Sequence, residues 1–427
     1  MEIIAYEHKH ILYEEKHFDP VTSGSASYNI LRSMTGQLKR HIFLLAILML
    51  VLFVATCKKQ IPTQTITGVK NYLVVNGNIN LNDSTVINLS RLISITDSSQ
   101  SKPELNAIVN IEGQQSGSYT LTTSGSGNYV TASLNLSPTQ NYRLHIKTAD
   151  GKEYASDFVP VKSAPAIDTI GYTADANGVK VNINTHDPAG KTRYYRWDYS
   201  ETYIIHSLYN SHYKTVNHDT ILPRPPEEQI YECWSTDNST SIILGSSINL
   251  SQDQISSQLI TSIPSTSEKV HIRYSILVKQ YALTSDAYNY FTLLKKNTEQ
   301  LGSIFDAQPS ALTGNIHCIS NPKELAIGYV TAGQIAQHRI FIDASDLPTY
   351  TPSTPYGSCT LDTMLYFRTY NTQPPTTLAQ VHYFLYTGIE DPIDKVDEYP
   401  TGGFTAAFPI CVDCTLRGTN KKPAFWK

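Results

Sequence analysis

Six cysteines carry the sharpest chemical options in this chain: Cys57, Cys233, Cys318, Cys359, Cys411 and Cys414. Cys57 closes an apolar run and belongs to a different argument from the rest. The other five are an odd number, which in an exported protein predicts two disulfides and one free thiol. The pairs expected are Cys359 with Cys411 or Cys414, stapling the C-terminal tail, and Cys233 with Cys318. Connectivity itself does not follow from sequence. Cys411-Val-Asp-Cys414 has the spacing of a redox pair. Such a pair needs a helix N-terminus to lower a thiol pKa, and the flanking Phe408-Pro-Ile and Thr-Leu-Arg-Gly signal none. Zinc would want a second pair at like spacing, and only His317-Cys318 offers itself. His206, His212 and His218 fall in a Tyr-rich stretch and read as solvated loop histidines. Asp391, Asp394 and Asp397 lie among Pro392, Lys395 and Pro400. A solvated loop or an incidental calcium site suits them better than a glycosidase pair, whose placement across one bond no spacing reveals. The sequence contains no Gly-x-Ser-x-Gly elbow, His-Glu-x-x-His, phosphate loop or dinucleotide fingerprint. The expectation is a chain with no catalytic residue, no cofactor and no metal.

The elements that must carry these residues begin with an address. Lys39-Arg40-His41 precede Ile42 to Ala55, 14 residues without a charge. That length fits the apolar segment of a secretory leader, whereas a spanning helix needs about 20. The run ends in Val54-Ala55-Thr56-Cys57, similar to the lipobox read by lipoprotein signal peptidase, with Thr56 where Gly, Ala or Ser is usual. Cleavage before Cys57 and lipidation of its sulfur are expected; several acyl chains on one residue anchor stably where one is marginal. Residues 1–33 are mixed in charge and aromatic, unlike a leader, while Met34-Thr-Gly-Gln-Leu-Lys-Arg would begin an ordinary one. Met34 as the true start, or a disordered first 33 residues, follows. Lys58, Lys59 and polar Gln60 to Thr67 read as a tether.

Beyond the tether, apolar and polar residues alternate with period two. Leu105, Ala107, Val109 and Ile111 form one such set; Tyr142, Leu144 and Ile146 form another; Ile87, Leu89, Ile93 and Ile95 are interrupted only by Arg91. Strands with one buried and one wet face give this pattern. Asp150-Gly151 marks a hairpin turn and Ser124-Gly-Ser-Gly127 separates two further strands. Pro160 to Pro165 reads as an extended seam. After it come Val179, Val181 and Ile183, then Tyr195, Trp197 and Tyr199, then Ile272, Tyr274, Ile276 and Val278, and a late strand through Val381, Tyr383 and Leu385. Ser285 to Leu301 is the one convincing helix, with Ala287, Phe291, Leu294 and Leu301 on one face packing against the second sheet. Thr284 caps it, Leu283 staples onto Tyr288 and Gly302 ends it. Residues 203–240 and 344–378 read as long loops, where binding usually resides.

The predicted fold class is mainly β, with two β-sandwich-like domains. The first, 71–162, is of immunoglobulin or transthyretin type. The second, 166–427, is β-rich with one inserted amphipathic helix at 285–301. Ahead of them lie a signal peptide and N-terminal extension, 1–56, and a lipidated tether, 57–70. Charged residues make up only 16% of the chain, under the usual quarter or so. The formal net charge is -4, and no basic stretch stands out, so nucleic acid is not an expected partner. The 28 tyrosines suit strand filling individually, and on a surface they suit carbohydrate or protein contacts.

Tyr274-Ser-Ile-Leu-Val-Lys-Gln-Tyr-Ala-Leu283, Leu294-Lys-Lys-Asn-Thr-Glu-Gln-Leu-Gly-Ser-Ile-Phe-Asp306, Gln308-Pro-Ser310 and Gly314-Asn-Ile-His-Cys318 are distinctive. So are Tyr194-Tyr-Arg-Trp-Asp-Tyr199, Cys233-Trp234, Cys411-Val-Asp-Cys-Thr-Leu-Arg-Gly418 and Lys422-Pro-Ala-Phe-Trp426. Together they resemble domain of unknown function 4249 from Bacteroidota, over roughly Tyr72 to Trp426. The resemblance implies an outer-membrane lipoprotein that accompanies a TonB-dependent receptor. It implies no catalytic residue. The expected function is a non-enzymatic binding or accessory module for an outer-membrane uptake system, working through loops of the second domain. A glycan or peptide hydrolase and a structural or adhesion protein are the competing classes.

Overall fold

Alternation becomes strand through most of the described body. The structure is a computed structural model that describes residues 41, 43, 71–92, 101–299, 312, 314–370, 376–397 and 402–427. The leader, Cys57 and the tether lie outside the described residues, save His41 and Phe43; so do Ile93, Ile95, Leu301 and Gly302. The protein is mainly β.

The first module is one long sheet closed over a single core. Its strands run in the order Ile316–Cys318, Glu153–Ser156, Tyr142–Lys147, Ile108–Gly113, Ser118–Gly125, Asn128–Thr131, Thr85–Arg91, Leu73–Asn80, Thr331–Gln334, Val161–Ser163. Leu73, Ile79, Ile87, Val109, Ile111 and Leu144 are fully buried inside it. The Asp150-Gly151 hairpin forms at the expected place but with a longer turn. Gly151 N–H donates to Thr148 O at 2.9 Å and Thr148 N–H donates to Lys152 O at 2.9 Å, with Gly151 at φ 82°. That is a type I turn closed by a left-handed glycine rather than a two-residue turn.

The seam at Pro160 to Pro165 does not divide the body into independent domains. Val69–Lys427 is one compact unit. Val161–Ser163 pairs in parallel with Thr331–Gln334, which pairs with Leu73–Asn80. Strands within residues 316–334, expected in the second domain, thus enter the first sheet: Ile316–Cys318 forms one end, and Thr331–Gln334 lies next to Val161–Ser163 at the other. The reason is the edge of Leu73–Asn80: its free N–H and C=O groups need a partner, and the nearer chain offers none.

The second module is a sandwich. A three-stranded sheet, Ile167–Asp175, Gly178–His186 and Gln254–Pro264, packs on a second sheet ordered Glu232–Asn238, Tyr194–His206, Arg273–Ala282, Ala336–Asp343. Val179, Val181 and Ile183 meet Trp197, Tyr274 and Ile276 in one core. Tyr195 and Trp197 are fully buried there, and Tyr199 packs beside them, so this stripe serves the core. Polar side chains are buried in this module too, Gln280 among them. Gln280 accepts from Trp197 Nε1 at 2.8 Å and donates to Pro165 O at 2.8 Å and to Thr185 Oγ1 at 3.0 Å. It is fully buried and ties the seam to both sheets.

Helix α1, Ser285–Glu299, stands on the outer face of the second sheet. Ala287 N–H donates to the Thr284 hydroxyl at 3.2 Å, and Leu283 and Tyr288 share one apolar cluster. The cap and the staple are both formed.

A third cluster, not foreseen as a unit, holds the tail. The sheet Asp362–Leu365, Gly403–Ala407, Asp391–Val396 packs with the hairpin Tyr213–Val216 and Thr220–Pro223. The expected loop 203–240 therefore contains the end of Tyr194–His206, this hairpin and the strand Glu232–Asn238. The expected strand through Val381 and Leu385 is a single helical turn, Val381–Leu385. Both residues are buried while Tyr383 between them is 52% exposed. A spacing of four fits either period, and the exposed middle residue shows that the helical one won.

Two disulfides rivet the tail: Cys233–Cys414 and Cys359–Cys411. The expected Cys233–Cys318 bond does not form. Cys318 lies across from Tyr154 in the first module's core, buried and free, whereas Cys233 sits in the second sandwich. Cys359–Cys411 closes a separation of 52 residues. In the chain-entropy picture, replacing both cysteines by serine should lower the unfolding free energy by about 4 kcal/mol. Chemical denaturation of the double variant measures this, and a loss below about 1 kcal/mol would show that side-chain packing alone holds the tail.

Candidate functional site

Two neighbouring strands of the second sandwich turn polar residues outward. On Tyr194–His206 these are Arg196 and Asp198, and on Arg273–Ala282 they are Lys279 and Tyr281. In the antiparallel register Arg196 faces Tyr281 and Asp198 faces Lys279. Asp198 nevertheless turns to its own strand and accepts from Arg196 Nη2 at 3.1 Å. Lys279 makes no ion pair among the described residues. The Arg196 guanidinium lies 4.4 Å from the Tyr281 ring centroid and 4.6 Å from that of Phe291. Held between two π faces, it is fixed in place at low cost in rotamer freedom.

Helix α1 supplies the second wall through Tyr290, Phe291 and Leu294. The first module supplies the third. Between Ala326–Ile327 and Thr331–Gln334, the parallel pairing with Leu73–Asn80 is interrupted. Gly328 adopts φ 147° there, and any Cβ on it would lie 2.2 Å from Val75 O. Only glycine fits that approach. The interruption throws Tyr329 outward against Tyr290, with centroids 5.3 Å apart. Asn315 replaces the missing ladder bonds: its Nδ2 donates to Val330 O and its Oδ1 accepts from Val330 N–H, both at 2.9 Å. Gly314 lets this segment through, since a Cβ there would sit 1.8 Å from Gly328 O.

The result is a cleft of about 520 Å³, within the size range of small-ligand sites. A trough of about 270 Å³ adjoins it. Asn76, Arg196, Asp198, Lys279 and Tyr281 border both, so the two are continuous. Burial pushes the Tyr290 hydroxyl up to about 12. Tyr281 is raised by burial and then by Asp198, and Tyr329 is raised by burial. All three remain neutral hydroxyls at physiological pH, able to donate. The arrangement stacks, donates hydrogen bonds and presents the Lys279 ammonium.

The residues singled out from sequence lie elsewhere. His206 Nε2 is 3.3 Å from Glu232 Oε2, His212 Nδ1 is 2.7 Å from Asp394 Oδ1, and His218 Nδ1 is 2.8 Å from Tyr386 O. Each has a separate partner. Among the described residues, no three His, Cys, Asp or Glu groups are placed to hold a metal. Asp397 pairs with Lys395 at 3.1 Å, and Asp391 opens a strand where a loop was expected. Cys411 and Cys414 bond to different partners, so the redox spacing forms no dithiol. The cleft residues were missed. One signal was present: Asn76, Asn78 and Asn80 alternate through a strand, where asparagine is disfavoured.

Fold and cleft together define a β-sandwich protein with a ligand-sized recess between its modules and one helix forming a wall. The chain belongs to the family described as domain of unknown function 4249, whose model matches residues 58–339. The match stops short of the tail motifs quoted above but contains every wall of the cleft. No curated protein matches the chain.

Asn315→Ala would strand both Val330 backbone groups in a site where Val330 is fully buried. The expected cost is about 2–4 kcal/mol, two buried partners being lost at once. A denaturant midpoint unchanged from wild type would mean that water replaces the amide. Glu390 gives a second test. It is buried, its Oε2 has no partner, and burial with Asp362 nearby pushes its carboxyl up to about 7. Between the ordinary carboxyl value and that figure, the unfolded chain sheds a proton that the folded protein keeps. Stability therefore falls as pH rises through this window and stays lowered above it. Glu390→Gln should gain about 2 kcal/mol near pH 8 and nothing near pH 4. Melting curves at both pH values check this, and a gain equal at both would exclude titration as its cause.

Proposed function

We propose that this protein is a lipid-anchored, non-enzymatic binding module of the outer membrane that serves a TonB-dependent uptake system. The observation that carries the reading is the cleft. Aromatic rings, a guanidinium held between two of them and an unpaired ammonium converge on one recess, and all of them but Tyr329 stand on strands or a capped helix. That chemistry recognises a ligand by stacking and hydrogen bonding. The apolar run ending at Cys57 supports the anchor, and the polar stretch after it supports a body held off the bilayer. Cargo captured in the cleft would be handed to the receptor, which the same surface contacts.

The test uses the full chain in its own cells with an alkyne fatty acid in the medium. Wild type should become labelled and stay with the membrane, while Cys57→Ser should lose the label and leave it. Purification from detergent-solubilised outer membrane should bring down a stoichiometric TonB-dependent receptor. An unlabelled wild type would overturn the anchor. A protein purified without a receptor that hydrolyses glycans or peptides would overturn the binding role in favour of the hydrolase.

A further inference from the structure

The trough beside the cleft has an unusual wall. Asn76, Asn78 and Asn80 project from one face of Leu73–Asn80, and Asn88 stands directly across from Asn76. Strands normally exclude asparagine, so its repetition on one face calls for a reason beyond folding. Some of these amides are already oriented. Asn88 Nδ2 donates to Asn128 Oδ1 at 2.8 Å, and Asn78 Oδ1 accepts from Thr331 Oγ1 at 2.6 Å. Others are unspent. Asn76 is exposed and its side chain makes no hydrogen bond among the described residues. Asn80 is 5% exposed; its Nδ2 donates to Ser84 O at 3.4 Å, and its Oδ1 alone has no partner. Arg196 Nε, where trough and cleft meet, is also buried without one. A side-chain amide both donates and accepts, as vicinal hydroxyls do.

The backbone of these walls is not on offer. Leu73–Asn80 lies between Thr85–Arg91 and the returning strands, Tyr194–His206 between Arg273–Ala282 and Glu232–Asn238, and Arg273–Ala282 between Tyr194–His206 and Ala336–Asp343. A peptide added as an extra strand needs a free edge, and these walls supply side chains instead. Rings at one end, amides at the other and the Lys279 ammonium between them set the ligand class.

We propose that cleft and trough together bind an oligosaccharide bearing an acidic group: one sugar ring stacks on Tyr281 and Tyr329, the chain runs along the asparagine row, and a carboxylate or sulfate meets Lys279. This rests on the binding-module reading and names its ligand class.

The experiment applies the detergent-solubilised full chain to an array of uronic-acid and sulfated oligosaccharides, their neutral counterparts and acidic peptides. An acidic glycan should bind and its neutral counterpart should bind about tenfold more weakly, the scale of one good contact. Lys279→Gln should bring the acidic glycan down to the neutral one and flatten the salt dependence of binding, because the screened interaction is gone. Tyr281→Ala and Asn76→Ala should weaken acidic and neutral glycans alike, by about tenfold for Tyr281, with melting temperatures unchanged for Asn76→Ala and Lys279→Gln. Binding of acidic peptides in place of glycans would overturn the proposal, as would glycan binding indifferent to Lys279 and Asn76. Silence across the array with the receptor still co-purifying would overturn the ligand class and leave the binding module standing.

Discussion

The structure hinges on one unsatisfied edge. Leu73–Asn80 is covered on one side by its hairpin partner, Thr85–Arg91. Its other side needs hydrogen-bonding partners that no nearby segment provides. Residues 326–334 supply them, about 250 positions later. That single pairing fuses what would otherwise be two β domains. It also sets the cleft, because the flaw in the pairing, Gly328 to Val330, is what carries Tyr329 out to helix α1. Cleft wall and structural joint are the same segment.

Buried polar groups hold the joint in register. Gln280 spends its amide on Trp197, Thr185 and the seam at Pro165. Asn315 spends its amide on Val330. In the first module, Arg91 reaches Glu104 at 2.5 Å and Tyr154 at 3.3 Å, and Tyr154 donates to Glu324 at 2.5 Å. Burial works against the Arg91 charge and the Glu104 bond restores it, leaving its pKa raised. Each of these is a directional contact; those of Gln280 and Tyr154 join segments 63 to 170 positions apart. Apolar packing tolerates small slips, whereas a buried donor without its acceptor costs the full desolvation. Such contacts therefore fix which residues face the cleft.

Strand alternation was readable in the sequence because one face of nearly every strand is buried and the other wet. Helix α1 was readable for the same reason at a different period, and its cap and staple stood in plain residues. Most failures share a cause as well: they turned on contacts distant in sequence. Nothing local to Thr331 announces Asn78 as its partner. Cys318 could not be told from Cys233 without knowing that its strand returns to the first core. Val381 and Leu385 fit both periods, and only the exposure of Tyr383 separates them. The cleft stayed hidden because its walls come from four places: two strands of the second sandwich, helix α1 and the first module.

The late partner of Leu73–Asn80 also sets a timetable. A ribosome adding about 5–20 residues each second needs roughly 10–50 s to travel from one strand to the other. Throughout that interval the early sheet waits with an open flank, a shape prone to join the wrong neighbour. The asparagines within the waiting strand make that flank a poor template for aggregation.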